Sequence, residues 1–354
     1  MRRGLWLILV LLASGASGLA QSDTARATQS IKTLQGWYDT PSGLYKTTGW
    51  WNSANATTTL VDYSRVFGSK EYLPVLTNTF VMAQNKFPGF LNEYYDDEGW
   101  WALAWIDAYD LTGNKAYLAM GESIFADMAA SWDDTCSGGI WWSKEKKYKN
   151  AIANELFLSV AAHLANRVPG KKDEYRKWAD REWAWFAASG MINEKGLVND
   201  GLTIDPATKV CRSNGQKTWS YNQGVVLGGL VELAQINPDA WLKASAKRIA
   251  LAAIAGLSDQ DGVMRDGCEP AKCGEDATQF KGIFARNLGE LDRTHPEEAY
   301  ERFIRRNADA VWGKARGEGG VLGVDWAGPY AAGDASTTSS GLDVLVAAQQ
   351  SEKR

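Results

Sequence analysis

Asp96-Asp97-Glu98-Gly99-Trp100-Trp101-Ala102-Leu103-Ala104-Trp105-Ile106-Asp107-Ala108-Tyr109-Asp110-Leu111-Thr112-Gly113-Asn114 contains the unit from which the chain is built. Its apolar positions recur with the 3.6-residue period of a helix, predicted over roughly 97–111. Thr112-Gly113-Asn114 then supplies breakers, and a second helix is predicted over roughly 114–130. The pattern repeats along the chain as two alternating sets. One set covers roughly 24–36, 70–85, 114–130, 171–188, 238–255 and 296–312, and the other roughly 54–67, 97–111, 150–167, 220–235, 276–292 and 337–350. Each helix of the second set passes to the next of the first through a short turn, as at Gly68-Ser69-Lys70, Pro169-Gly170-Lys171 and Asn237-Pro238. The return connections are long, about 10 to 30 residues. They hold most of the Gly and many of the Trp residues, notably over 43–51, 137–142 and 190–219.

Alternating short and long links are what a closed ring of helical hairpins produces, because short turns gather at one end and long loops at the other. The expected fold is therefore all-α, an (α/α)6 toroid of six hairpins, with residues 21–354 as a single domain. The second helix set becomes the inner barrel, and its N-terminal ends open towards the long-loop face. That face is the expected site, since loops on a rigid scaffold carry function and helix N-termini add free N–H donors and a positive dipole end. The alternative arrangement is two helical domains joined near 190–218.

The composition fits a globular body: 354 residues, 45% hydrophobic and 23% charged, with a formal net charge of −4. Lys and Arg number 38 against 42 acidic residues, spread without a basic run, which argues against nucleic acid as a partner. Aromatic content stands out, with 17 Trp, 13 Tyr and 10 Phe against 2 His. Arg2 and Arg3, the apolar run Leu5 to Leu12 and the small residues up to Ala20 read as a signal peptide over 1–20, cut near Ala20. No later stretch reaches the roughly 18 apolar residues of a membrane span. Cys136, Cys211, Cys268 and Cys273 suit disulfides in an oxidising compartment, and the spacing of Cys268 and Cys273 suits a loop clip. His163 and His295 lie far from any Cys in sequence, so zinc is the weaker reading, and no metal or other cofactor is expected.

The starts of the inner helices are chemically rich. They read Trp50-Trp51-Asn52-Ser53-Ala54-Asn55, Tyr94-Tyr95-Asp96-Asp97-Glu98-Gly99-Trp100-Trp101, Tyr148-Lys149-Asn150 through Asn154, Trp219-Ser220-Tyr221-Asn222-Gln223, Asp276-Ala277-Thr278-Gln279-Phe280-Lys281 and Ser336-Thr337-Thr338-Ser339. N-capping accounts for Ser53, Ser220 and Thr337, but not for the aromatics. Flat aromatic faces against sugar rings, with amides and carboxylates for hydroxyls, make a carbohydrate cleft, whereas for any single Trp buried packing is the commoner role. Adjacent carboxylates at a helix start suit glycoside hydrolysis, where a pair about 5 to 5.5 Å apart accompanies the retaining, covalent route. Their repulsion splits the titrations, leaving one acid protonated and one ionised. The plain alternative for Asp96-Asp97 is a capping Asp followed by a first-turn Asp.

Tyr95-Asp96-Asp97-Glu98-Gly99-Trp100-Trp101-Ala102-Leu103 resembles the catalytic signature of glycoside hydrolase family 76, the endo-α-1,6-mannanases. Trp51-Asn52-Ser53-Ala54-Asn55, Gly138-Gly139-Ile140-Trp141-Trp142, Tyr148-Lys149-Asn150 through Asn154, Tyr221-Asn222-Gln223-Gly224 and Phe280-Lys281-Gly282-Ile283-Phe284-Ala285-Arg286 resemble further family motifs in the family's order. The resemblance covers nearly the whole chain after residue 20. It implies an (α/α)6 toroid, retaining cleavage of α-1,6-mannan, Asp96 as nucleophile and Asp97 as general acid/base. Substrate contacts are expected from Trp51, Asn55, Tyr95, Trp100, Trp142, Asn154, Tyr221, Asn222 and Lys281, acting on an α-mannan polysaccharide or oligosaccharide as a monomer. Fungal wall members, thought to be transglycosylases, carry a C-terminal hydrophobic tail for lipid attachment. Here the last residues, Gln349-Gln350-Ser351-Glu352-Lys353-Arg354, are polar, so a freely secreted or periplasmic hydrolase is expected. Two rival readings are a mannan transglycosylase and a non-catalytic carbohydrate-binding wall protein.

Other candidates read as structural. His163 sits mid-helix among Ala and Leu without a Ser or Cys elbow. Asp259-Gln260-Asp261-Gly262 lacks the distal Glu of a calcium loop and reads as a Gly-closed turn. Of Trp141 and Trp142, one is expected to stack on sugar and the other to turn inward, with nothing in the sequence to say which.

Overall fold

The computed structural model describes residues 22–270 and 273–352; the expected leader over 1–20 lies outside them. Among the described residues are twelve α-helices: α1 Asp23–Gln35, α2 Trp50–Phe67, α3 Leu73–Met82, α4 Tyr95–Thr112, α5 Lys115–Ala129, α6 Ala151–Arg167, α7 Lys172–Ala188, α8 Ser220–Ile236, α9 Ala240–Gly256, α10 Phe280–Thr294, α11 Glu298–Lys314 and α12 Ala335–Glu352. The even-numbered helices form the inner barrel. Each packs on the next in the order α2, α4, α6, α8, α10, α12, and α12 returns to α2 to close the ring. The outer helices lie over the seams: α1 on α12 and α2, α5 on α4 and α6, α7 on α6 and α8, α11 on α10 and α12, with α9 on α8. The fold is thus the expected all-α toroid.

The short turns work as the sequence suggests. Gly68 and Gly113 end α2 and α4 in the left-handed conformation, φ 67° and 70°, and Asn114 caps α5 by accepting the Ala116 N–H. Inner helices are buried almost all round, and several of their hydroxyls turn back on the backbone. The hydroxyls of Thr57, Thr59 and Ser64 on α2 bond the carbonyls one turn back, at 2.8–2.9 Å. Small residues let the barrel close: a Cβ on Gly282 would sit 2.5 Å from the Ser340 backbone of α12.

Three details differ from the sequence reading. Helices α2 and α4 begin earlier, at Trp50 and Tyr95, which puts Trp51 and the Asp pair inside the first turn. Helix α10 begins later, at Phe280, because Asp276–Thr278 forms a separate 3₁₀ turn. The expected N-caps are also reassigned. Ser53 lies within α2 and accepts the Tyr45 N–H, and Ser220 is held at both its N–H and hydroxyl by Asp266 from a distant loop (2.8 and 2.7 Å). At α12 it is Asp334 that accepts the Thr337 N–H, at 2.9 Å, while the Thr337 hydroxyl accepts the Asp334 N–H in return.

On the long-loop face, two short antiparallel hairpins, β1 (Tyr38–Asp39) with β2 (Leu44–Tyr45) and β3 (Leu202–Ile204) with β4 (Cys211–Ser213), stiffen the connections. Disulfides Cys136–Cys211 and Cys268–Cys273 fasten the same face, the second being the expected loop clip. The opposite end of the barrel is sealed by ion pairs around a polar cavity of about 250 Å³. Arg167 of α6 reaches Asp110 of α4 (2.7 Å) and Glu232 of α8 (2.8 Å), and Arg65 of α2 reaches Glu290 of α10 (3.3 Å). His163 belongs to this end: its Nδ1 lies 2.7 Å from the Ser159 carbonyl oxygen, and burial lowers its pKa. Asp259 closes a tight turn, accepting the Asp261 and Val263 N–H groups.

Burial raises the Glu232 carboxyl, but His163, Arg167 and Asn166 outweigh it and hold the group down to about 2, against an ordinary 4.5. A depressed carboxylate contributes stability above its unfolded pKa and loses it as pH falls through the folded one. Arg167→Ala removes the cation shared by the partly exposed Asp110 and the half-buried Glu232, so equilibrium denaturation at pH 7 is expected to show a loss of about 2 kcal/mol. The gap between variant and parent should narrow from about pH 4.5 down to about 2 as Glu232 takes up its proton. A gap that stays constant across that range would contradict the assignment.

Candidate active site

The N-terminal ends of the inner helices open into a cleft of about 700 Å³. Helix α2 contributes Trp51, α4 contributes Asp96, Asp97 and Trp100, α8 contributes Tyr221, and α10 contributes Phe280. The long loops add Trp142, Trp219, Asp200 and Asp276. The walls are aromatic pairs: Trp51 stacks on Trp100 at 5.7 Å and Tyr221 on Phe280 at 3.8 Å. Four carboxylates face this apolar enclosure, and among the described residues lining it there is no Lys or Arg.

The two adjacent acids are held differently. Asp96 accepts two N–H groups, one from the Trp142 indole at 2.9 Å and one from the Asp97 backbone at 3.0 Å. Asp97 accepts one, from the Asn92 side-chain amide at 2.6 Å. Burial raises the pKa of Asp96 well above the ordinary carboxylate range, and the neighbouring Asp97 raises it further. Burial also pushes Asp97 up, to about 6, against the lowering effect of the Asn92 amide. The two shifts favour a proton held by this half-buried pair. The extra N–H donor favours charge on Asp96, against the burial that raises its carboxyl well above the ordinary range.

Trp142 is placed by its loop rather than by a helix. Its carbonyl accepts the Tyr95 N–H at 2.9 Å, and its own N–H donates to the Tyr148 carbonyl at 2.8 Å. Beneath it, the fully buried Lys149 donates to the carbonyls of Thr135, Gly138 and Gly139 and to the Asp133 carboxylate, all at 2.8–2.9 Å. Gly139 has φ 82° and lies against the Trp185 ring, where a Cβ would fall 2.3 Å from ring carbon, so only glycine fits. Of the Trp141-Trp142 pair, Trp141 is the inward one, donating to Asp133 at 2.7 Å, and Trp142 faces the cleft.

Of the residues expected to contact substrate, Trp51, Trp100, Trp142 and Tyr221 line the cleft beside Asp96 and Asp97. Five do not, and each is turned inward by a partner or by packing. Asn55 is buried and bonds the Arg286 guanidinium and the Trp51 carbonyl. Tyr95 is buried, with Lys144 over its ring at 5.7 Å. Asn154 clamps the Ile140 backbone through both ends of its amide, at 2.7 and 3.1 Å. Asn222 is fully buried, and neither end of its amide finds a partner. Lys281, 1% exposed, is consumed by Glu269 at 2.5 Å and the Val324 carbonyl at 2.6 Å. The lining also includes residues absent from that expectation. Asp276 and Trp219 flank inner-helix starts and were within reach of the same reasoning; Trp51 donates its indole N–H to Asp276 at 3.1 Å. Asp200 comes from the middle of a long connection, where it accepts the Tyr148 hydroxyl at 2.6 Å, and no motif marks it.

Known proteins resemble this chain in sequence and in fold. Over 305 residues the chain is 28% identical to the mannan endo-1,6-alpha-mannosidase DCW1 of Candida albicans, covering 78% of this chain and 66% of the relative's own length. It is 28% identical to the mannan endo-1,6-alpha-mannosidase DFG5 of the same yeast, covering 84% and 72%. Among solved structures, an inactive variant of the alpha-1,6-mannanase GH76A of Salegentibacter, in complex with alpha-1,6-mannotetrose, superimposes with a TM-score of 0.84 at 21% identity, covering 93% of this chain and 99% of that one. A Listeria innocua protein does so with a TM-score of 0.83 at 24% identity, covering 94% and 98%. The family model of glycosyl hydrolase family 76 matches residues 20–352, and the chain belongs to that family.

Proposed function

We propose that the protein is an exported, retaining endo-α-1,6-mannanase, and that the Asp96–Asp97 pair at the start of α4 carries the reaction. The observation behind this reading is the unequal support of two adjacent half-buried acids in an aromatic-walled cleft. In the first step a carboxylate oxygen of Asp96 attacks the anomeric carbon, the glycosidic C–O bond breaks, and the Asp97 proton passes to the leaving oxygen. In the second a water oxygen attacks the same carbon, its proton goes to Asp97, and the bond to Asp96 breaks. The N–H donors on Asp96 stabilise the carboxylate that attacks and later leaves. Trp51, Trp100, Trp142 and Tyr221 offer ring faces to the sugars, while Asp200 and Asp276 are placed to accept hydroxyl hydrogens. The relatives named as mannan endo-1,6-alpha-mannosidases support the choice of substrate. Two disulfides support function in an oxidising compartment outside the cytoplasm.

Linear α-1,6-mannan is the test substrate. The purified chain should release new reducing ends, with the α-anomer appearing first by proton NMR, and Asp96→Asn and Asp97→Asn should each lower kcat/KM by about 10³-fold. Binding without new reducing ends would point to a carbohydrate-binding protein, and longer products to transfer between sugars. The acid must be protonated to act and loses its proton above its pKa, so kcat/KM should fall as pH rises through about 6. Trp142→Phe keeps the ring but removes the N–H donor to Asp96. It should cost about 10- to 100-fold in kcat, whereas an unchanged kcat with raised KM would make Trp142 a sugar platform only.

A further inference from the structure

Asn92, in the loop before α4, is tied to the reacting pair through Asp97. Its Nδ2 donates to Asp97 Oδ2 at 2.6 Å, while its Oδ1 accepts the Tyr94 N–H at 2.8 Å. A backbone donor on one end and a carboxylate on the other leave the amide a single orientation. The Asn92 N–H donates to Glu98 Oε1 at 3.3 Å, and the Glu98 carboxyl, 0% exposed, pairs with Lys144 at 3.0 Å. Lys144 in turn donates its backbone N–H to the Glu93 carbonyl at 3.0 Å. The loop is thus anchored on both sides of the amide, and Asn92 cannot follow Asp97 if that side chain rotates.

Resting on the hydrolase reading above, we propose that Asn92 is a positioning residue that selects which oxygen of Asp97 handles the proton. The amide hydrogen occupies Oδ2, so the acid proton resides on Oδ1, the oxygen free to meet the glycosidic oxygen. In the second step the same free Oδ1 accepts the proton of the attacking water. Oδ2 stays hydrogen-bonded throughout, and the proton enters and leaves at one atom. Loss of the amide frees the carboxyl to protonate on either oxygen and to turn, and removes a donor that favours its ionised form.

Asn92→Leu removes the donor at nearly constant volume. On linear α-1,6-mannan its kcat/KM should fall by about 10- to 100-fold, and the alkaline limb of its pH profile should move to higher pH. On an α-1,6-mannobioside with a dinitrophenyl leaving group, which departs without a proton, the first step should fall less than about threefold by burst kinetics. Equal losses on both substrates, or an unmoved alkaline limb, would overturn the proposal. Should Asn92→Leu fail to fold, the parent enzyme carries the test: with ¹⁵N-labelled Asn, the Asn92 side-chain N–H resonance should titrate together with Asp97, and a flat response overturns it. A parent chain inactive on every mannoside would instead sink the hydrolase reading.

Discussion

Six inner helices that all run the same way leave their unsatisfied backbone groups at two places. Free N–H groups collect at one mouth of the barrel and free carbonyls at the other, each set reinforced by the aligned peptide dipoles. Acids line both ends, but among the described residues lining them Arg occurs only at the second. The N-terminal mouth holds Asp96, Asp97, Asp200 and Asp276 without a Lys or Arg among the described residues lining it. The C-terminal end holds Arg65 and Arg167, bound to acids of neighbouring helices. One end of the barrel thus stays open, its charged lining among the described residues acidic only, while ion pairs close the other.

That separation is maintained by a floor. Trp100 lines both the upper cleft and the lower cavity, stacking on Trp51 above while the Arg286 guanidinium lies 5.9 Å from its ring below. Arg286 is itself held by Asn55 and by Asp343 of α12, and Thr59 completes the chain by donating to Asp343 at 2.7 Å. Residues that look like sugar ligands from their position near helix starts therefore support the floor and walls instead.

The same division between display and support recurs in the loops. Trp142 can present its N–H to Asp96 because Lys149 gathers the carbonyls of the loop behind it and the Trp185 ring packs against Gly138 and Gly139. The Cys136–Cys211 bridge ties that loop to the β3–β4 hairpin, which follows shortly after Asp200. A buried lysine is costly unless each of its donors is met, and here every donor meets an oxygen, so the charge works as a rivet.

Much of this was legible in the residues themselves. Helical period, Gly and Asn breakers, and alternating link lengths determine six hairpins, and their alternation determines that the inner N-termini share a face. The Asp96-Asp97 pair and the aromatics around it read as a cleft lining, and the structure gathers both acids with Trp51, Trp100, Trp142 and Tyr221 at one mouth. Orientation was decided only by the tertiary structure. Successive residues of a helix point about 100° apart, so at each inner-helix start at most three side chains see the cleft and the rest turn into neighbours. Hence Tyr221 faces the cleft while the adjacent Asn222 is buried, and Phe280 faces it while Lys281 is claimed by Glu269. Asp200 and Asn92 reach the site through long-range or loop contacts whose geometry exists only once the ring has closed, so no local pattern announces them.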